Sequence, residues 1–251
     1  MRTRGWVGLW VFVIAGFGCE STPASPSGTA SATSSAAPAT SSSTARSAAP
    51  TSTAATADEA AVKKVFLDYR AAIGAKNGRA AADASSARTL EYYESVRKKA
   101  LTLPEKELRA TPTSDRFMIV LIRASFDAAA LRKMDGRSLF EHAVNEGMVG
   151  KNTQSLEPDA VEIEGDTAYL GMRAGGDTLP PRKGFRVYRE QGSWKLDVLS
   201  VMGTVGASMD QMLAKVDPDI DTAMVKIAEQ LTGKSLAKTI WTPPDAAPVT
   251  R

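Results

Sequence analysis

One cysteine and one histidine stand in 251 residues. A single cysteine cannot build a disulfide framework, so the fold must rest on its apolar core. A zinc site draws three or four ligands chiefly from His and Cys, and this chain is too poor in both. A serine triad would have to recruit the lone His142, and no Gly-x-Ser-x-Gly elbow occurs. Charge of one sign is also scarce: 31 Lys and Arg against 28 Asp and Glu leave a formal net charge of +3. The clusters Arg97-Lys98-Lys99, Arg132-Lys133 and Arg182-Lys183 are short and diluted by neighbouring acids. That is not the basic stripe of a nucleic-acid binder. No apolar run reaches the about 20 residues that cross a bilayer, which excludes a multipass membrane protein. No internal repeat is visible.

The first residues carry an address. Arg2 and Arg4 precede an uncharged stretch of 14 residues, Gly5 to Gly18, short for a span but fit for the apolar region of a secretory signal. It ends at Cys19. Gly16-Phe17-Gly18-Cys19 resembles the lipobox of bacterial lipoproteins, with Gly16 where that class carries Leu or a similar aliphatic. The resemblance implies that Cys19 becomes the first mature residue and carries acyl chains. At about 0.8 kcal/mol per buried CH₂, more than one chain gives a stable membrane anchor. Glu20 rather than Asp after the cysteine implies the outer membrane, with the protein facing the periplasm. The plain alternative is an ordinary signal peptide with an incidental cysteine.

Residues 20–57 read as a disordered tether. From Ser21 to Ala57, Ser, Thr, Ala and Pro fill every position but Gly28 and Arg46, so nothing offsets the entropy of ordering the segment. A flexible chain of this length spans about 30–37 Å on average. Setting aside Arg2, Arg4, Arg46 and Glu20 leaves 28 basic and 27 acidic residues, so the folded part, 58–251, is nearly neutral.

In that part helical periodicity comes first. Val62, Val65, Phe66, Tyr69 and Ile73 form one stripe from Asp58 to Gly74. A second helix is expected over 79–103, a buried helix at 117–122 after Thr113-Ser114-Asp115, and a short helix from Gly136 to Glu146. Past Gly150 the period becomes 2. Val161/Ile163 and Ala168/Leu170/Met172 flank the turn Gly165-Asp166. Phe185/Val187 and Trp194/Leu196/Val198 flank Gln191-Gly192. These are two hairpins with one dry face, and Glu162, Glu164, Arg173, Arg186, Lys195 and Asp197 on the other. The Gly/Pro-rich segment 174–183 is a long connection between them. Met202, Val205, Met209, Met212, Leu213 and Val216 make one closing helix. Asp217-Pro218 opens another, whose stripe Ile220, Met224, Ile227 and Leu231 stops at Gly233, and 242–251 reads as a frayed tail. The class is α+β: N-terminal helices, an antiparallel meander of about four strands and C-terminal helices, one domain.

The helix with Val65-Phe66-Tyr69-Arg70, the break at Lys76-Asn77-Gly78 and the hairpins "Gly-Asp-Thr-Ala" (165–168) and "Gly-Ser-Trp-Lys-Leu" (192–196) resemble the cystatin-like cone of the nuclear transport factor two-like (SnoaL-like) superfamily, over roughly 60–200. The helices at 105–146 and 201–241 depart from its compact form. The resemblance implies a sheet curled round a helix, with a pocket between the first helices and the dry face. Phe66, Tyr69, Tyr93, Val187 and Trp194 would line it. The superfamily holds isomerases, cyclases and dehydratases as well as binding modules, so fold alone assigns no activity.

No other motif is strong. His142, with Glu146 at i+4, is a weak catalytic candidate. Ala228 to Ser235 matches a relaxed phosphate loop, but a helical stripe runs through it and Gly233 reads as a helix cap. Neither cofactor, metal nor nucleotide is implied. The leading expectation is a membrane-anchored, non-catalytic module for an apolar small molecule or an envelope protein. The alternatives are an isomerase-, cyclase- or dehydratase-type enzyme using a pocket acid or His142, and a structural protein that self-associates through its polar sheet face.

Overall fold

Two serines break the helix expected over 79–103. The computed structural model describes residues 52–244; Cys19, the export signal, most of the tether and the end of the tail lie outside the described residues. Helix α1, Ser52–Gly74, begins ahead of the expected Asp58. Helix α2, Gly78–Ala84, is capped by Asn77 and ends at Ser85 in extended backbone. Helix α3, Ala87–Thr102, restarts after Ser86, whose hydroxyl accepts from the Thr89 N–H. Serine competes for backbone groups and so favours caps over helix interiors. Here the break gives the sheet an extra hydrogen bond: Ser86 N–H donates to Leu196 O at 2.9 Å, and Ser85 bridges Leu196 in parallel.

Four further helices follow: α4, Glu105–Arg109; α5, Thr113–Ser125; α6, Ala128–Lys133; and α7, Gly136–Asn145. The run 117–122 is helical, inside α5, as expected. Helix α7 lies against α2 and α3, and glycine permits the approach: a Cβ at Gly136 would lie 2.4 Å from Glu94 N, and one at Gly78 would lie 2.1 Å from Glu141 O. Asp127 and Asp135 cap α6 and α7 through their side chains.

Among the described residues the sheet is antiparallel and has five strands, where about four were expected. They are β1, Glu157–Glu164; β2, Thr167–Ala174; β3, Asp177–Leu179; β4, Phe185–Glu190; and β5, Ser193–Asp197. The order is β1-β2-β4-β5. The added strand comes from the supposed connection 174–183: Gly175 and Gly176, both at positive φ, turn the chain tightly enough for Asp177–Leu179 to pair with Met172–Ala174. Strand β4 takes the rest of that edge, pairing with Thr167–Leu170.

The dry face is largely as read. Ala168, Leu170, Met172, Phe185, Val187, Trp194 and Leu196 are buried. Helix α1 crosses this face with Val62, Phe66 and Tyr69 inward, and its two ends are tied to opposite sides of the sheet. Near the start, Asp58 Oδ2 accepts from Arg189 Nη2 at 2.7 Å; farther on, Arg70 Nη1 donates to Leu156 O at 2.7 Å. Each large apolar side chain so buried stabilises the fold by roughly 1.5–3 kcal/mol.

The polar face differs from the expectation. Glu162 and Glu164 are paired by Arg182, which stacks on Tyr169 at 4.3 Å and comes from the Pro181–Lys183 turn, not from a neighbouring strand. Lys195 donates to Asp83 O at 2.6 Å. Asp197 is not on a solvated face at all: it is fully buried.

Helices α8, Met202–Val216, and α9, Ile220–Thr232, pack on α5. Met209, Leu213, Met224 and Ile227 are buried. Gly233 ends α9 in the left-handed conformation, the cap reading of that residue. The chain then returns in a turn, Lys238–Trp241, whose Trp241 is buried. Residues 245–251 of the supposed frayed tail lie outside the described residues. Among the described residues no helix is long and apolar enough to cross a membrane.

Candidate functional site

The five residues expected to line a pocket fall in two places. Phe66, Val187 and Trp194 lie between α1 and the sheet, where the Phe66 and Phe185 rings approach to 5.5 Å between centroids. Trp194 Nε1 donates to Asp58 Oδ1 at 3.2 Å, and the Arg189 guanidinium covers its ring at 4.4 Å. The hydrogen bonds from Arg189 and from Trp194 hold the Asp58 carboxyl below the usual range. Phe66 and Val187 have no exposed surface, and Trp194 is 7% exposed.

Tyr69 and Tyr93 are brought near one another. Both are buried, and burial pushes both phenols up, with Tyr93 adding to the effect on Tyr69. They therefore stay neutral: hydroxyls that can donate a hydrogen bond, not phenolates that could take a proton. Tyr93 also packs edge-on against Phe140 at 4.9 Å and lines a cavity of about 20 Å³ with Met118, Phe126, Leu139 and Met148 among its neighbours. That is about the space of one water. The walls are apolar and carry no carboxylate.

His142 stands half-buried near the end of α7. Its ring meets Phe126 edge-on at 4.7 Å. The nearest acid in sequence, Glu141, accepts instead from Arg137 Nε at 2.8 Å, and Glu146 is exposed. No His–carboxylate pair forms among the described residues, nor does any group of three His, Cys, Asp or Glu that could hold a metal.

Sequence reasoning missed the buried acid. Strand alternation puts Asp197 opposite Leu196, on the wet side. The chain then folds over it: Asp197 Oδ1 accepts from the Leu199 N–H at 3.1 Å and caps a turn at Val198–Val201. Thr89 Oγ1 accepts from the Val198 N–H at 3.3 Å and lies 3.2 Å from Ser86 Oγ. Asp197 Oδ2 has no hydrogen-bond partner. Burial raises this carboxyl above its ordinary range, against the opposing pull of the Leu199 N–H, of Arg88 and Arg186, and of the Thr89 hydroxyl. The available signal was an Asp at a strand end followed by Val-Leu-Ser, an Asx turn rather than a strand position.

No known protein family matches the chain, and no curated protein and no solved structure is detectably similar to it.

Proposed function

We propose that this chain is a lipid-anchored, extracytoplasmic lipoprotein, acylated at Cys19 and facing the periplasm from the outer membrane. Its folded domain is a non-catalytic module that binds an envelope protein through its outer surface. The observation that carries the choice of a protein over an apolar small molecule is the packing of Phe66 on Phe185. The space between helix and sheet, where such a ligand would lodge, is taken by the protein's own side chains. In the same reading the sheet wraps α1 in the manner of the nuclear transport factor two-like cone. The ties from α1 to β4 at Asp58 and to the start of β1 at Arg70 support that curl.

The test is made on the full chain expressed in a bacterium with two membranes. The mature protein should begin at Cys19, carry acyl mass and sediment with the outer membrane, and Cys19→Ala should release it. Native mass spectrometry should show no small-molecule increment, and a photo-crosslinker on the outer sheet face at Lys195 should yield one discrete adduct with an envelope protein. A soluble, unacylated product would overturn the anchor. A reproducible small-molecule increment would overturn the choice of a protein partner.

A further inference from the structure

Among the described residues Asp197 is the carboxylate with no exposed surface. It is the last residue of β5, where the chain leaves the sheet for the C-terminal helices. One oxygen accepts a hydrogen bond and the other does not. Oδ1 caps the Val198–Val201 turn, while Oδ2 lacks a donor. The guanidinium of Arg88 on α3 is 3.6 Å away, and that side chain is 57% exposed. The same guanidinium donates to the Tyr188 hydroxyl at 3.4 Å. Arg186 of β4, the residue paired with Asp197 across the strands, is the other charge that acts on it. The turn presents only backbone amides and the Ser200 hydroxyl, which donates to Asp197 O at 2.6 Å and accepts from the Arg186 N–H at 3.0 Å. From α3 come the Thr89 and Ser86 hydroxyls.

An ionised oxygen out of water without a hydrogen-bond donor is a costly state, and a largely solvated guanidinium 3.6 Å away offsets it only in part. Protonation removes the charge and leaves a carbonyl oxygen able to keep the Leu199 contact. We propose that Asp197 is a proton-operated latch between the sheet and the C-terminal helices. Protonated, it seals the Val198–Val201 turn and releases Arg88 to solvent. Ionised, it holds Arg88 on the outer sheet beside Tyr188 and loosens the turn. The latch thus reports the pH of its compartment as a change in charge placement on an exposed face. Its sign follows from burial. The folded state binds this proton more tightly than the unfolded chain, so the junction is firmest at low pH and weakens as pH rises through the folded pKa.

Hydrogen exchange of the full chain, corrected for the intrinsic pH dependence of amide exchange, tests this on the backbone of residues 197–201. The opening constant should rise with pH in the window above the ordinary carboxylate range, by at most about tenfold per pH unit, the limit for one proton. Arg88→Gln should open the turn further at high pH and leave the low-pH value unchanged. Asp197→Asn should be flat. A flat wild-type profile, an Arg88→Gln effect equal at every pH, or a slope that survives in Asp197→Asn would each overturn the latch. If Asp197→Asn does not fold, Arg88→Gln carries the test from its exposed position.

Discussion

Arg123 is buried without a carboxylate. Its Nε donates to Ala100 O at 2.8 Å, Nη2 to Leu103 O at 2.7 Å, and Nη1 to Trp241 O at 2.7 Å. The first two acceptors are at the end of α3, where helical carbonyls run out of amide partners and the helix dipole favours a cation. The third belongs to the returning C-terminal turn. Burial lowers the guanidinium only to about 10, so it remains charged at neutral pH. Arg123→Met should cost roughly 3 kcal/mol, because the backbone carbonyls gathered round it lose a charged donor. Arg123→Lys should recover only part, since an ammonium cannot reproduce the planar fork. Urea unfolding monitored by tryptophan fluorescence measures both; a loss under about 1 kcal/mol would mean that the carbonyls find other donors. Nothing in the sequence marks Arg123. It directly follows the run 117–122 read as a buried helix and looks like the solvated end of that helix.

The turns show how far local pattern carries. Gln191 and Gly192 join β4 to β5 with both residues at positive φ, the geometry that matches strand twist in a two-residue hairpin. Glycine fits there freely; glutamine pays the left-handed penalty of about 1–2 kcal/mol. Gln191→Asn should therefore raise stability by roughly 0.5–1 kcal/mol, because Asn tolerates this conformation better. Thermal unfolding checks it, and a fall in Tm would show that the glutamine side chain makes up the difference. The hairpins, helix stripes and caps were legible because each follows from a few adjacent residues. The α2–α3 break was not: Ser85 and Ser86 lie in a helical pattern, and only the distant Leu196 makes an extended link worth forming. The third strand was missed for a similar reason. Three residues, Asp177–Leu179, are too few to show a period. Asp197 was misplaced because alternation predicts which way a side chain points, not what later folds over it.

For the molecule as a whole, acid titration sets two tendencies against each other. Glu94 is gripped by both arms of Arg97 at 2.8 Å, which holds its carboxyl down to about 2. Asp135 and Asp219 are lowered too, by hydrogen bonds at their helix N-termini, and Asp217 is lowered chiefly by the Lys226 ammonium that donates to it. A lowered carboxyl contributes stability above its unfolded pKa, about 4, and loses it as pH falls through the folded value. Asp197 has the opposite sign. Stability should therefore fall between about pH 4.3 and about 2. Glu94→Gln should lower the plateau at neutral pH and shallow that fall; denaturant midpoints across the range measure it, and an unchanged slope would remove Glu94 as a cause.

Helix α1 is also the door by which the preceding residues enter the domain. A pull arriving through them reaches Ser52 and runs along a rod whose inner face is keyed to the sheet by Val62, Phe66 and Tyr69 and bolted near its start by the Asp58–Arg189–Trp194 clamp. Force along the rod must shear all these contacts at once, whereas force on a hairpin end would unzip them one by one. The force needed to open the domain therefore depends on the direction of the pull and is greatest along α1.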